Sequence, residues 1–166
     1  MINSIGVIDN FLDAQSLKRL QEIIFDKDFP LYWNGEVIEN GSDNPSNYYF
    51  NHLLYDKDNG KNSPYFDEIY NTFVDIMDIK KIIRLKVNVY PSNVKQIENG
   101  YHYDYDFAHK GAIFSLNTCD GYTKFKTGQV VDSVENRMMF FDPTIEHTSA
   151  NTTNVKRRVN INFNYF

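Results

Sequence analysis

From Asp13 to Asp26 the apolar residues Leu17, Leu20 and Ile24 recur at intervals of three and four, the spacing that lines one face of an α-helix. Asp13 suits the N-cap of that helix, because a short carboxylate can accept from the free amides of the first turn. Residues 28–63 show no comparable period. They are rich in Asn, Gly and Tyr and carry the turn signals Asn34-Gly35, Asn40-Gly41 and Asn59-Gly60, which predict an irregular stretch. Ser63-Pro64 then reads as an N-cap with proline at the first helical position. The helix that it opens places Phe66, Ile69, Phe73 and Ile76 on one face and ends near Ile79.

After Lys81 the period becomes two. Leu85, Val87 and Val89 alternate with Arg84, Lys86, Asn88 and Tyr90, as in a strand whose two faces meet different surroundings. Further strands are predicted over Gly100–Tyr105, Ala112–Asn117, Tyr122–Lys126, Arg137–Phe141 and Arg157–Tyr165, with Asp120-Gly121 as a hairpin turn between two of them. Helices first and short strands afterwards predict a mainly β, α+β molecule, a sheet sandwich or barrel with about two N-terminal helices packed outside. The expected organisation is one domain over residues 1–166, with helical support over about 1–80 and a β core over about 81–166.

Composition agrees with a packed core: 42% of the 166 residues are hydrophobic and 16% are aromatic. No apolar run approaches the roughly 20 residues needed to span a bilayer, so a membrane is not an expected partner. Met1 to Asp13 lacks the basic start and apolar stretch of a signal peptide, and a single cysteine, Cys119, suits a reducing interior. The expected location is therefore the cytoplasm. The net charge is −5, from 17 basic and 22 acidic residues. Nucleic-acid binders usually carry a basic stripe that neutralises phosphates. The basic clusters here, Lys80-Lys81 with Arg84 and Lys86, and Lys156-Arg157-Arg158, lie in strand-like segments where neighbours point to opposite faces. Neither makes a continuous patch, and nucleic acid is not expected as a partner. No oligomeric state follows from the sequence.

The candidate chemistry lies in the second half. In Tyr101-His102-Tyr103-Asp104 the imidazole and the carboxylate are two residues apart, so on a strand they project together. His147 follows the apolar run Met138–Phe141 and the turn Asp142-Pro143. Two histidines and one carboxylate that leave metal positions open form the facial triad of non-haem Fe(II) oxygenases. In the last strand, alternation puts Arg158, Asn160, Asn162 and Asn164 on one face and Val159, Ile161 and Phe163 on the other. An arginine on an interior face is costly unless an anion waits there, and a carboxylate can be held bidentately. A register slip of one would exchange Arg158 with Arg157; the polar companions of Arg158 favour it.

Together these motifs resemble the Fe(II)/2-oxoglutarate oxygenase superfamily, especially small prolyl-4-hydroxylase-like members of the phage and marine bacterial type. The resemblance covers about Arg84 to Phe166 in the family's order of motifs. Asn88 and Tyr90 precede His102 and Asp104. Next come a hairpin-like segment with Asn117, Thr118, Asp120, Gly121, Thr123 and Phe125, then a strand with Asn136, Arg137, Phe140 and Asp142. His147 and the strand with Arg158, Asn160 and Phe163 complete the order. The resemblance implies a double-stranded β-helix, or jelly roll. It implies His102, Asp104 and His147 as Fe(II) ligands and Arg158 as the partner of the distal carboxylate of 2-oxoglutarate. Asn160, Tyr90 and Asn88 are then co-substrate contacts, and O2 is the oxidant. Asn160 stands where many members have serine.

The implied reaction is hydroxylation of a peptidyl, prolyl-like, or amino-acid C–H bond with release of succinate and CO2. Two alternatives remain: a cupin-like binding module without turnover, and an oxidative nucleic-acid demethylase, against which the acidic charge counts. Other candidates are weaker. Cys119 has no adjacent histidine to activate it. His52 and His109 read as surface or loop residues, His109 being close enough to Asp104 to sit near a pocket mouth. Asp106 lies four residues from His102, a poorer spacing than that of Asp104. Tyr32, Trp33, Tyr48, Tyr49 and Phe50 read as core or as lining of a substrate cleft.

Overall fold

The computed structural model describes residues 5–35 and 47–166. Its first element is a short strand, β1 (Gly6–Ile8), followed by helix α1 (Ala14–Ile24). The Asp13 carboxylate caps α1, accepting from the amides of Gln15 and Ser16 at 2.9 Å each. Leu20, Ile23 and Ile24 form its buried face, with Leu17 at the margin of the core. Strands β2 (Tyr32–Asn34), β3 (Tyr49–Asp56) and β4 (Gly60–Lys61) come next, then helix α2 (Phe66–Phe73). The rest is strand: β5 (Ile82–Pro91), β6 (Lys110–Ser115), β7 (Tyr122–Phe125), β8 (Val130–Asp132), β9 (Arg137–Phe141), β10 (His147–Ser149) and β11 (Arg157–Tyr165).

The strands form two antiparallel sheets. The larger runs β1-β9-β6-β11-β5-β3-β2, with β4 paired to β3, and the smaller runs β10-β7-β8. This is the mainly β jelly roll expected, with the two helices against one face of the large sheet. Phe73 of α2 lies 4.9 Å from the ring of Phe163 on β11 and 5.1 Å from that of Phe114 on β6. Leu85, Val87, Val89, Val159 and Ile161 complete that apolar layer. No helix among the described residues is long and apolar enough to cross a membrane.

Several expectations need correction. Residues 28–63 are not irregular throughout, since β3 pairs along β5 and extends the large sheet. A register shift between Leu53 and Tyr55 interrupts the alternation by which a strand is recognised. The turn at Asn59-Gly60 does join β3 to β4, with Gly60 at φ +77°, a backbone conformation costly for any side chain. Asn40-Gly41 lies outside the described residues. Helix α2 ends before Ile76, which is 58% exposed, while Met77 takes the inward place. The chain turns out of the helix at Asp78, whose φ is +51°. Residues 100–105 form no strand, only a single bridge between His102 and His147.

Asp120-Gly121 is not a hairpin turn either. Strands β6 and β7 belong to different sheets, and the pair lies on the connection that crosses between them. A Cβ at Gly121 would come within 2.7 Å of Arg158 Cδ and 2.8 Å of the Asn151 carbonyl oxygen, so only glycine permits this close approach.

Candidate metal centre and the pocket beside it

Strands β5 and β11 place like against like. Asn160 faces Asn88, Asn162 faces Lys86, Asn164 faces Arg84 and Arg158 faces Tyr90. Because side chains alternate, this polar row turns away from the helices and into the space between the sheets. Asn88 Nδ2 donates to Asn160 Oδ1 at 3.0 Å, and Asn164 Nδ2 donates to Asn162 Oδ1 at 3.0 Å. Residues from β5, β6 and β11 share one small pocket with Thr123 of β7, His147 and Ser149 of β10, and the loop residues His102 and Asp104.

Three of those residues converge. His147 pairs by its backbone with His102, each amide donating to the other's carbonyl, at 3.0 and 2.8 Å. This isolated bridge sets the imidazoles side by side, with ring centroids 4.7 Å apart. The Asp104 amide donates to the Pro143 carbonyl at 3.2 Å, tying its loop to the segment that leads into β10. Ligand atoms of His102, Asp104 and His147 consequently lie within 4.8 Å of one another. His147 Nδ1 is 3.0 Å from the Ile145 carbonyl oxygen; donation there leaves the Nε2 lone pair for a ligand.

The electrostatics favour metal-binding protonation states. Burial, with the neighbouring His147, pushes His102 down to about 4, so it is a neutral imidazole at neutral pH. Burial pushes the Asp104 carboxyl up, but the Arg84 guanidinium, with His147 and Lys86, outweighs it and holds the group well below the usual carboxylate range. Arg84 Nη2 donates to Asp104 Oδ1 at 2.6 Å, while Asp104 Oδ2 is buried without a partner. One carboxylate oxygen is thus fixed and the other is left for a ligand. His102 Nδ1 and Asn88 Oδ1 are also buried and unpartnered. Buried polar atoms are normally satisfied, so orphans collected around one pocket mark a place that binds something polar. Two imidazoles and a carboxylate held by one oxygen fit a divalent transition metal with open coordination positions.

Arg158 is 1% exposed and faces inward, whereas Arg157 is exposed and stacks on Phe25 at 4.9 Å. The Arg158 guanidinium donates to the carbonyls of Tyr122 at 2.7 Å and Ala150 at 2.9 Å, and to Thr123 Oγ1 at 3.0 Å. Its Nε has no partner, and no carboxylate pairs with it among the described residues. Neutral acceptors orient this charge without neutralising it. Burial lowers its pKa, the direction expected for a cation short of an anion.

The structure adds two residues to those predicted. Arg84 and Lys86 were read only as part of a basic cluster divided between the two faces of a strand, yet they share the parity of Asn88 and Tyr90, which was the available signal. Burial, with Arg84 nearby, pushes the Lys86 ammonium down to about 7. His52 is neither surface nor loop: it is 3% exposed on β3, with Nδ1 2.6 Å from the Pro30 carbonyl oxygen and its ring against Phe29. His109 stands apart from the metal-ligand cluster, its Nε2 2.7 Å from Asn164 Oδ1. It borders a separate, larger cavity of about 290 Å³ that includes Phe141, whose ring lies 5.0 Å from His147. Asp106 is exposed and outside the cluster, and Cys119 is buried. Tyr49 stacks on Tyr90 at 5.4 Å, Phe50 packs on the core, and Tyr32 and Trp33 are exposed.

No protein-family model matches the chain, and no curated protein sequence matches it. Solved structures do. A prolyl hydroxylase from Trichoplax adhaerens, in complex with a hypoxia inducible factor oxygen degradation domain peptide fragment, superposes with a TM-score of 0.69 at 17% identity, over 99% of this chain and 84% of that one. A Pseudomonas putida prolyl-4-hydroxylase gives 0.69 at 13% identity, over 99% and 93%. An oxidoreductase of the 2OG-Fe(II) oxygenase family from Burkholderia pseudomallei gives 0.69 at 13%, over 97% and 84%. The chain has the fold of the 2-oxoglutarate/Fe(II) oxygenases.

Proposed function

We propose that this chain is an Fe(II)- and 2-oxoglutarate-dependent oxygenase that hydroxylates a peptidyl, prolyl-like, or amino-acid C–H bond. The observation that carries this reading is the convergence of His102, Asp104 and His147 in a pocket lined by Thr123, which accepts from Arg158, a buried guanidinium without a carboxylate partner among the described residues. His102, Asp104 and His147 would hold the iron, and Arg158 would hold the distal carboxylate of 2-oxoglutarate, with Thr123, Asn160, Asn88 and Tyr90 beside it. When bound, the metal and co-substrate supply oxidative chemistry in which O2 is consumed, 2-oxoglutarate becomes succinate and CO2, and a C–H bond becomes C–OH.

The protein's own residues supply orientation. Arg84 fixes Asp104 by one oxygen, the Ile145 carbonyl sets the His147 tautomer, and the Tyr122 and Ala150 carbonyls aim the guanidinium. The nearby fold relatives include a prolyl hydroxylase with a bound peptide, which supports a peptidyl or amino-acid substrate. A reducing, cytoplasmic setting suits the free Cys119 and a ferrous ion.

Anaerobic titration with Fe(II) and 2-oxoglutarate tests this directly. The expected result is the weak visible charge-transfer band of the ternary complex, absent in His147→Ala. In Arg158→Met, 2-oxoglutarate should bind more than about 30-fold more weakly, since truncating one side of a buried charge pair typically costs about 2 kcal/mol or more. Folded wild-type protein that gives no band sinks the proposal.

A further inference from the structure

Among the cations around the pocket, Arg84 is taken by Asp104, and Arg158 stands at the opposite end of the polar row. Lys86 lies between them, half-buried and lining the same pocket as the three candidate ligands. Among the described residues it has no hydrogen-bond acceptor and no carboxylate partner; its ammonium stands 5.6 Å from the ring centroid of Tyr49. That ring is itself buried and stacked on Tyr90, so the aromatic wall behind the ammonium is fixed. A half-buried lysine that lines a pocket with a ring behind it and no acceptor in front is poised to take an anion from outside the protein, since charged side chains in enclosed places are normally paired.

The charges around the pocket lead the same way. Along the polar row that borders the pocket stand three basic side chains, Arg84, Lys86 and Arg158, against a single carboxylate, Asp104, which Arg84 already pairs. A divalent metal and a dianionic co-substrate cancel one another, so a net positive charge persists in the loaded site. In a chain whose net charge is −5, this local excess favours an anion beside the metal.

We infer that Lys86 receives the carboxylate of the substrate, and that the substrate is a small molecule with a free carboxylate, such as a free amino acid, rather than an internal residue of a peptide. This rests on the oxygenase reading and narrows it. An internal prolyl residue has no charge to offer Lys86, whereas a free acid pairs with the ammonium and presents its C–H bonds next to the triad. The polar row of Asn88, Asn160 and Asn162 around Lys86 suits a hydrogen-bonding ligand better than an apolar one.

The test uses the protein loaded anaerobically with Fe(II) and 2-oxoglutarate and follows the charge-transfer band as ligands are added. The ligands are matched sets: free amino acids, their carboxamides, and peptides carrying the same residue internally. At least one free acid is expected to perturb the band, with its carboxamide and internal form bound at least about tenfold more weakly. Lys86→Met should shrink that preference to less than about twofold, while Lys86→Arg, which keeps the charge, should retain it. The affinity for 2-oxoglutarate alone should change less than about threefold in Lys86→Met.

If amides or internal peptides perturb the wild-type band as well as acids do, or if no acid perturbs it, the inference is overturned, and neither result needs a variant that folds. A Lys86→Met protein that loses 2-oxoglutarate affinity but keeps its preference for acids would assign the ammonium to the co-substrate and also overturn it. A wild-type protein that gives no band defeats the oxygenase proposal itself, a distinct failure.

Discussion

Both faces of the large sheet are covered, yet they are built from opposite chemistry. On the helix side Leu85, Val87, Val89, Val159, Ile161 and Phe163 meet α1 and α2 in a layer of aliphatic and aromatic side chains. On the inner side, the intervening residues of the same two strands are Arg84, Lys86, Asn88, Tyr90, Arg158, Asn160, Asn162 and Asn164, and most of these are just as buried. Burial of the first set stabilises the fold at roughly 25 cal/mol per Å² of apolar surface. Burial of the second set stabilises little, because polar groups only recover in the protein the hydrogen bonds they gave up in water. One face of these strands holds the molecule together, and the other gives its polar residues to the pocket where His102, Asp104 and His147 converge.

The sharpest way to break this comparison is to damage the helix side alone. Phe163 is fully buried between Phe73 and the sheet. Phe163→Ala should cost about 3–5 kcal/mol of unfolding free energy, the usual range for removing a core phenylalanine. The affinity of the folded fraction for Fe(II) should stay within about threefold, since separate sites are close to additive. Chemical denaturation alongside the anaerobic titration measures both. Loss of metal affinity in protein that is still folded would mean that the two faces are not separable.

The inner side calls for the converse change. Arg84→Lys keeps a cation beside Asp104 but gives up the rigid, planar guanidinium whose Nη2 holds Oδ1 at 2.6 Å. The expected result is an Fe(II) affinity lower by about tenfold, the lower end of what outer-shell partners of metal ligands contribute. The unfolding free energy should move by less than about 1 kcal/mol, because the largely buried pair remains charged on both sides and neither ion is left without its partner. A variant that melts much earlier but binds iron as before would make the Arg84–Asp104 pair a structural tie instead of a positioning device.

How much of this could be read in the sequence follows from the same contrast. Strands β5 and β11 were legible because their two faces meet different surroundings, so apolar and polar residues alternate without a break. His102, Asp104, His147 and Arg158 could be named from spacing and order. Strand β3 was not legible: Tyr49 to Tyr55 is nearly all aromatic or aliphatic, and the bulge between Leu53 and Tyr55 shifts its parity midway. The spacing of His102 and Asp104 suggested a strand, but a single bridge to His147 is enough to bring them together. Arg84 and Lys86 were passed over because a cation on an alternating strand looks solvated until the inner face is known to be enclosed. Asp120-Gly121 looks locally like a hairpin turn, and nothing local tells a turn within one sheet from a crossing between two.

That crossing is where the two regions share a part, and it gives the smallest prediction. The Asp120 carboxylate accepts from the Thr152 hydroxyl at 2.8 Å, from the Thr153 amide at 2.8 Å, and from the Thr153 hydroxyl. It thereby ties the connection holding Gly121 to the loop after Ala150, and both of these segments border Arg158. The Thr153 hydroxyl, with its amide and Thr152, holds the Asp120 carboxyl down to about 2. In the unfolded chain the group titrates near about 3.9. A pKa depressed by folding contributes stability above the unfolded value, and that contribution is lost as the pH falls through the folded value. Asp120→Asn should therefore be less stable than wild type at pH 7, by no more than about 1 kcal/mol because the carboxylate is partly screened by solvent. The two proteins should converge as the pH is lowered from about 4 towards about 2, where the wild-type group becomes protonated as well. Urea unfolding at several pH values measures the difference. A gap that stays constant across that range would assign the tie to the shape of the side chain and leave its charge without a role.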